Sequence, residues 1–236
     1  MQVFVIIPAA GLGTRMAPGG AAGHAPKQFL ELSGQPILVL ALRAFLSVAS
    51  VRQIFVAVRA GEMKRVEAQL REHHLAERVS VVEGGDTRQE SVRNALQLLP
   101  AADDDVVLVH DAVRPLIDAA TIERTIEAVV QHQAAIVGMP AIDTIKQVER
   151  TADGAIITST IPRERIVLAQ TPQGFRCGLL RRAMQAAEAD GFAGTDEASL
   201  VERLGSEVAV VPGSARNLKI THPADLALAE FYLQQH

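Results

Sequence analysis

Apolar and polar positions sort most of the chain into two kinds of segment that take turns. Residues 3–8, 54–58, 79–82 and 106–109 are short apolar runs rich in Val and Ile. Runs without polar alternation suit strands covered on both faces, as in parallel sheets. Between them, residues 37–46, 62–74 and 89–99 carry apolar side chains at helical spacing. This order predicts βαβ units around a mostly parallel sheet. Residues 121–130 predict a further helix, running into a buried strand over 134–139.

The pattern then changes. Two strand-like runs, 143–148 and 155–160, flank Thr151-Ala152-Asp153-Gly154. The Asp-Gly pair is a hairpin turn signal. A hairpin here suits a contact with a second subunit and suits a plain sheet edge equally; we expect an arm at about 141–162 that makes a dimer contact. Residues 166–175 return to the sheet, 179–188 predict a helix and 208–211 a late strand. His222-Pro223 opens a closing helix, with Asp225 in the first turn where a carboxylate meets the positive end of the helix dipole. Without internal repeat, low-complexity tract or linker, the chain reads as one domain over 1–236.

Composition narrows the function. A length of 236 residues, 48% hydrophobic and 21% charged, is an ordinary globular mix and excludes disorder. The net charge of −4 provides no basic field for nucleic acid, and 3% aromatic residues leave little to stack bases. The lone cysteine, Cys177, cannot form an internal disulfide and is expected to pack. No stretch offers the roughly 20 apolar residues of a membrane span. The opening MQVFVIIPAA lacks the basic segment of a secretory signal and reads as a buried strand. A soluble cytoplasmic protein with neither nucleic-acid nor membrane partner is the expectation.

Chemistry concentrates in the loops after the strands. Pro8-Ala9-Ala10-Gly11-Leu12-Gly13-Thr14-Arg15-Met16 follows the first strand, and small residues there let backbone N–H groups approach a polyanion. A dinucleotide fingerprint would place Gly at Met16 and an acidic residue after the second strand, which ends at Val58-Arg59; a P-loop would need Gly-Lys-Ser/Thr. Neither motif fits. Instead, residues 1–30 contain no Asp or Glu and only two charged side chains, Arg15 and Lys27, a local positive site in an acidic chain. The composition also suits a surface turn. Gly84-Gly85-Asp86-Thr87-Arg88-Gln89-Glu90-Ser91 follows the third strand, where Asp86 or Thr87 can cap a helix and the glycines allow close approach. Val109-His110-Asp111-Ala112-Val113-Arg114-Pro115 ends the fourth. Asp111 there is placed to hold a divalent cation or a ribose hydroxyl and Arg114 to pair with phosphate, although a core His110 and an Asp–Arg turn pair fit the same residues. Asp103-Asp104-Asp105 precedes that strand and reads as a solvated turn. Thr144, Arg163, Thr171 and Thr195 lie at predicted strand ends or turns and suit a phosphate, a polyol or a cap; Lys219 is a cation inside an apolar segment.

Taken in order, PAAGLGTRM, APKQFL, GGDTRQESV, LVHDAVRP, DTIKQV, LAQTPQGF, TDEASLVE and NLKITHPADLALAEFYL resemble the 2-C-methyl-D-erythritol 4-phosphate cytidylyltransferases along essentially the whole chain. The resemblance implies a Rossmann-like α/β fold of the GT-A nucleotidyltransferase type, with helices on both faces of a mostly parallel sheet and a projecting β-arm that makes a homodimer. It implies Mg²⁺-dependent transfer of a cytidylyl group from CTP to 2-C-methyl-D-erythritol 4-phosphate, with release of pyrophosphate, in the non-mevalonate route to isoprenoids. By position, Arg15, Lys27 and Lys219 resemble the cations at the triphosphate, with Arg163 also in a catalytic role. Ala9, Ala10, Gly11, Gly13, Gly85, Asp86, Ser91, Asp111 and Ala112 resemble the nucleotide contacts. Asp111, Arg114, Thr144, Arg163, Thr171 and Thr195 resemble the acceptor site, with Thr144 and Arg163 reaching a neighbouring subunit. Mg²⁺ is expected on the CTP phosphates, with Asp111 its one candidate protein ligand. The glycine-rich stretch 17–25 is longer than in many members and is expected to be mobile without nucleotide. A cytidylyltransferase for another polyol phosphate, such as ribitol 5-phosphate, shares the nucleotide loops. A nucleotide-binding module without chemistry is a further alternative, and a dinucleotide oxidoreductase is disfavoured by Met16.

Overall fold

The computed structural model describes residues 1–11 and 27–235, Lys27 by its backbone alone. Gly13, Arg15 and the stretch 17–25 lie outside the described residues. The elements run β1 (Val3–Pro8), a small hairpin of β2 (Glu31–Leu32) and β3 (Gln35–Pro36), α1 (Ile37–Leu46), β4 (Val51–Val58), α2 (Met63–Glu72), β5 (Val79–Glu83), α3 (Arg88–Leu98), β6 (Val106–Val109), α4 (Ala119–His132) and β7 (Ala134–Pro140). After these come β8 (Ile145–Thr151), β9 (Gly154–Ile161), β10 (Val167–Arg176), α5 (Cys177–Ala189), α6 (Glu197–Arg203), β11 (Ala209–Pro212) and α7 (Pro223–Leu233).

Seven strands form one sheet in the order β11-β7-β10-β6-β1-β4-β5, all parallel except β10. Because successive side chains of a strand point to opposite faces, β1 feeds two cores. Val3, Val5 and Ile7 pack with residues of α1, α2 and α4; Phe4 and Ile6 pack with residues of α3, α5 and α6. This is why the run needs no polar alternation. A third, smaller core joins Leu32, Ile37, Ile220 and Ala229, and so ties α7 to the start of α1.

Helix starts follow the side-chain chemistry. Thr87 caps α3, accepting from the Glu90 N–H at 3.1 Å while Glu90 accepts from the Thr87 N–H at 3.0 Å. Asp118 caps α4, and Asp225 accepts the N–H groups of Thr221 and His222 at the start of α7. Strands β8 and β9 leave the sheet as a separate two-stranded arm. Thr151 pairs with Gly154 across a two-residue loop, Ala152-Asp153, so Gly154, at φ +146, stands just past the turn rather than inside it.

One sequence expectation fails here. Asp105 is not solvated: it is buried and its carboxylate accepts the N–H groups of Gln2 (2.7 Å) and Ala102 (2.8 Å). The Gln2 hydrogen bond foremost holds its carboxyl below the ordinary range. Two elements were absent from the sequence expectation, the β2–β3 hairpin and α6; both are too short for a clear periodicity.

Candidate active site

Parallel strands discharge their following loops at one edge of the sheet, and the chain visits β1, β4 and β5 before crossing back to β6 on the other side of β1. Ligands of open α/β sheets bind at such a reversal. A pocket of about 230 Å³ opens there, lined by Ala9, Ala10 and Gly11 after β1, by Gly85, Asp86 and Ser91 after β5, by Asp111 and Ala112 after β6, and by Lys219. The loops lock to one another. Gln28 donates to the Ala9 carbonyl at 2.6 Å and Arg59 to that of Ala10 at 2.8 Å. Gly85 N–H donates to Ser91 Oγ at 3.1 Å. A Cβ on Gly84 would fall 2.8 Å from the Ala10 Cβ, so glycine there lets the first and second loops close together.

Asp111 forms the floor. Lys219 Nζ lies 2.8 Å from its Oδ2, Arg88 Nε 3.3 Å from Oδ1, and Arg114 Nε 3.6 Å from Oδ2. Burial alone would push the Asp111 carboxyl up, but Arg88, then Lys219 and Arg114, hold it well below the usual carboxylate range. Lys219 comes from the segment after β11, which runs parallel to β7 and so ends at this same edge. Arg114 also donates to the Asn217 carbonyl at 2.7 Å, joining that segment to the β6 loop.

His110 and Thr171 lie behind Asp111. The antiparallel β10 pairs Gln173 with Val109, which carries Thr171 beyond the end of β6. The Thr171 hydroxyl accepts the Asp111 N–H at 3.1 Å and lies 3.0 Å from His110 Nδ1. His110 Nε2 is 2.9 Å from the Arg114 carbonyl, an acceptor only, so Nε2 carries the proton and the Thr171 hydroxyl donates to Nδ1. Burial pushes His110 down to about 4. It is a neutral strut.

The remaining expected residues are placed elsewhere. Thr195 is exposed, two positions before α6. Thr144 and Arg163 are exposed at the base of the arm, where Arg163 donates to the Ile142 carbonyl at 2.7 Å. Neither these nor Arg114 and Thr171 line the Asp111 pocket. Among the described residues no cluster of three or more His, Cys, Asp or Glu could hold a metal ion. Asp111, the buried carboxylate of the pocket, has both oxygens engaged by Lys219, Arg88 and Arg114, so a hard cation here would be held chiefly by substrate phosphates.

The model of the IspD family, 2-C-methyl-D-erythritol 4-phosphate cytidylyltransferase, matches residues 3–235. The enzyme of that name from Acidobacterium capsulatum is 66% identical over 235 residues, covering 100% of this chain and 98% of the relative. That from Solibacter usitatus is 51% identical over 237 residues, covering 100% and 97%. Among solved structures, the Francisella tularensis 2-C-methyl-D-erythritol 4-phosphate cytidylyltransferase superposes with TM-score 0.81 at 34% identity, covering 98% of this chain and 99% of its own. The Thermus thermophilus enzyme of the same name gives 0.77 at 35%, covering 99% and 100%. The chain belongs to this family.

Within this cytidylyltransferase, sequence reasoning passed over two charged residues that the fold brings to the floor. Arg88 Nη1 lies 2.7 and 2.8 Å from the two oxygens of Glu197, whose side chain is 1% exposed. Burial pushes the Glu197 carboxyl up, and Arg88 opposes that shift. The one local clue was Arg88 itself, a cation in the first turn of a helix, where the dipole disfavours it. Glu197 left none, since a carboxylate at a helix start is ordinary. Gln28 was likewise missed. No helix among the described residues is long and apolar enough to cross a membrane.

Proposed function

We propose that this chain joins CTP to 2-C-methyl-D-erythritol 4-phosphate, giving 4-diphosphocytidyl-2-C-methyl-D-erythritol and pyrophosphate, by positioning and charge rather than by proton transfer. The observation that carries this reading is the pocket where two small-residue loops and Lys219 meet over Asp111. The loops after β1 and β5 suit the base and ribose of CTP. Lys219, with Arg15 and Lys27, then faces the triphosphate. An acceptor oxygen attacks the α-phosphorus as the bond to pyrophosphate breaks. The acceptor is a phosphate monoester with a second pKa near 6, mostly a dianion at neutral pH, so no base is required. The chemistry of His110 agrees, since both ring nitrogens are occupied and it has no surface. What the chain must overcome is repulsion between two polyanions. Arg88, Arg114 and Lys219 against Asp111 and Glu197 leave one net positive charge at the floor. Mg²⁺, when bound, would add charge neutralisation at the phosphates that hold it, since the Asp111 oxygens are taken by Arg88, Lys219 and Arg114.

The arm completes the proposal. Thr144 and Arg163 stand at its base, and Val148, Ile156 and Ile157 are 48%, 62% and 60% exposed along it. Apolar surface of this kind suits burial against a second copy, and a homodimer in which each arm lends Thr144 and Arg163 to its partner's acceptor site follows. A coupled pyrophosphate assay with CTP and Mg²⁺, offering methylerythritol phosphate and ribitol 5-phosphate separately, tests the activity. Release with the first and at least tenfold less with the second is expected; preference for ribitol phosphate, or no release, overturns it.

A further inference from the structure

Arg88 is in an unfavourable place for its own helix. It is the first residue of α3, at the positive end of the dipole, while the capping there is done by Thr87 and Glu90. A residue that breaks a local rule marks a position chosen for something else. Its guanidinium spans two carboxylates from distant segments, Nη1 on Glu197 and Nε on Asp111. Glu197 is itself held in place. Gln173 of β10 donates to the Asp196 carboxylate at 2.8 Å and accepts the Ala198 N–H at 3.1 Å, clipping the start of α6 to the sheet. The same strand, two residues earlier, holds the Asp111 N–H through Thr171. Asp111 is thus gripped from its backbone by β10 and from its side chain by Arg88, with Glu197 bracing Arg88 from behind.

The two Asp111 oxygens have different partners: Oδ1 faces Arg88 and Oδ2 faces Lys219. Rotation of that carboxylate would move the Lys219 ammonium with it. We propose that Arg88 and Glu197 are positioning residues for the transfer: the pair fixes the carboxylate of Asp111 and, through it, the ammonium of Lys219. This rests on Lys219 acting at the phosphates. Glu197 lies behind the pocket lining, whereas Arg88 is part of it, and the role assigned to both is exerted through Asp111. The pair also links the loop after β5 to α6, which follows Thr195.

The test is a double-mutant cycle on the full chain, with single-turnover rates and thermal melting. Glu197→Gln removes the brace with little change of shape. It is expected to lower the rate at least tenfold, more through kcat than through KM, while the protein stays folded at the assay temperature. In a Lys219→Ala background the same substitution should lower the residual rate less than threefold, because its target is gone. A merely structural role predicts the same fold-loss in both backgrounds, and that result overturns the proposal, as does an unchanged kcat in Glu197→Gln. Should Glu197→Gln not fold, Arg88→Lys, which keeps the charge but loses the two-sided contact, enters the same cycle with the same criteria. If Lys219→Ala alone turns over normally, the phosphate role of Lys219 fails and the positioning role with it. If Lys219→Ala is impaired but the losses multiply, only the positioning role fails.

Discussion

Around Asp111 the charged groups are answered from within the chain: Lys219, Arg88 and Arg114 by the carboxylate, Arg88 again by Glu197, Arg114 again by the Asn217 carbonyl. On the arm the reverse holds. Among the described residues, strands β8 and β9 pair only with each other, and Val148, Ile156 and Ile157 stay largely in contact with solvent. The pocket floor is therefore set before any ligand arrives, whereas the arm presents apolar surface that a second copy would cover. Preorganised charge of the first kind acts on a transition state without reorganisation; surface of the second kind acts only through association.

That contrast breaks most visibly at the cations. Lys219→Ala, Lys27→Ala and Arg15→Ala are each expected to lower turnover roughly 100-fold or more, corresponding to about 2.7–4 kcal/mol for one lost donor. Steady-state kinetics with pyrophosphate detection checks this; near-normal turnover in Lys219→Ala would mean the floor is not where charge is stabilised, and in the other two would refute their assignment to the triphosphate.

A comparable effect is expected on stability. An unfolded histidine takes up its proton near pH 6.5, but His110 in the folded chain does so only at about 4. Between these values the unfolded state binds more protons, so stability falls as pH drops through the window, by about 3 kcal/mol in total. Melting curves from pH 7 to pH 4 should show this loss, and His110→Gln should flatten it. The depressed Asp111 carboxyl adds a loss of the same sign in stronger acid.

Arg114→Ala sharpens the comparison at smaller scale. It removes one flank of Asp111 and the donor to the Asn217 carbonyl, costing about 1–3 kcal/mol of stability by denaturant titration. If Arg114 serves the acceptor, KM for the acceptor rises far more than KM for CTP; equal rises move it out of that pocket.

The smallest stability effect belongs to the arm. Ile156→Glu with Ile157→Glu should change the stability of the isolated subunit by only about 0.5 kcal/mol each, as for exposed positions. The light-scattering mass should nevertheless fall from dimer to monomer, with loss of acceptor binding. An unchanged mass would return the arm to a plain edge hairpin.

Much of the fold was legible in the chain. The runs at β1, β5, β6 and β7 announce themselves because both faces of each are covered, and Thr87 and Asp225 mark helix starts through their own side chains. The candidate site was legible as loops: residues from Ala9 to Gly11, from Gly85 to Ser91, with Asp111 and Lys219, meet in one pocket. Thr171, expected at the acceptor site, lies behind Asp111, its hydroxyl on His110 and the Asp111 N–H, contacts that no local pattern announces. Asp105 was read as solvated because its partner, the Gln2 N–H, lies across the fold.

Local signals, then, are what the chain alone determined: strand periods, caps, turns and the clustering of small residues and cations after strands, all of which depend on neighbours a few positions away. Tertiary structure decided the antiparallel course of β10, the burial of His110, and the pairing of Arg88 with Glu197 across 109 positions. Which carboxylate a guanidinium meets depends on where distant strands end relative to one another, and that is a property of the assembled sheet.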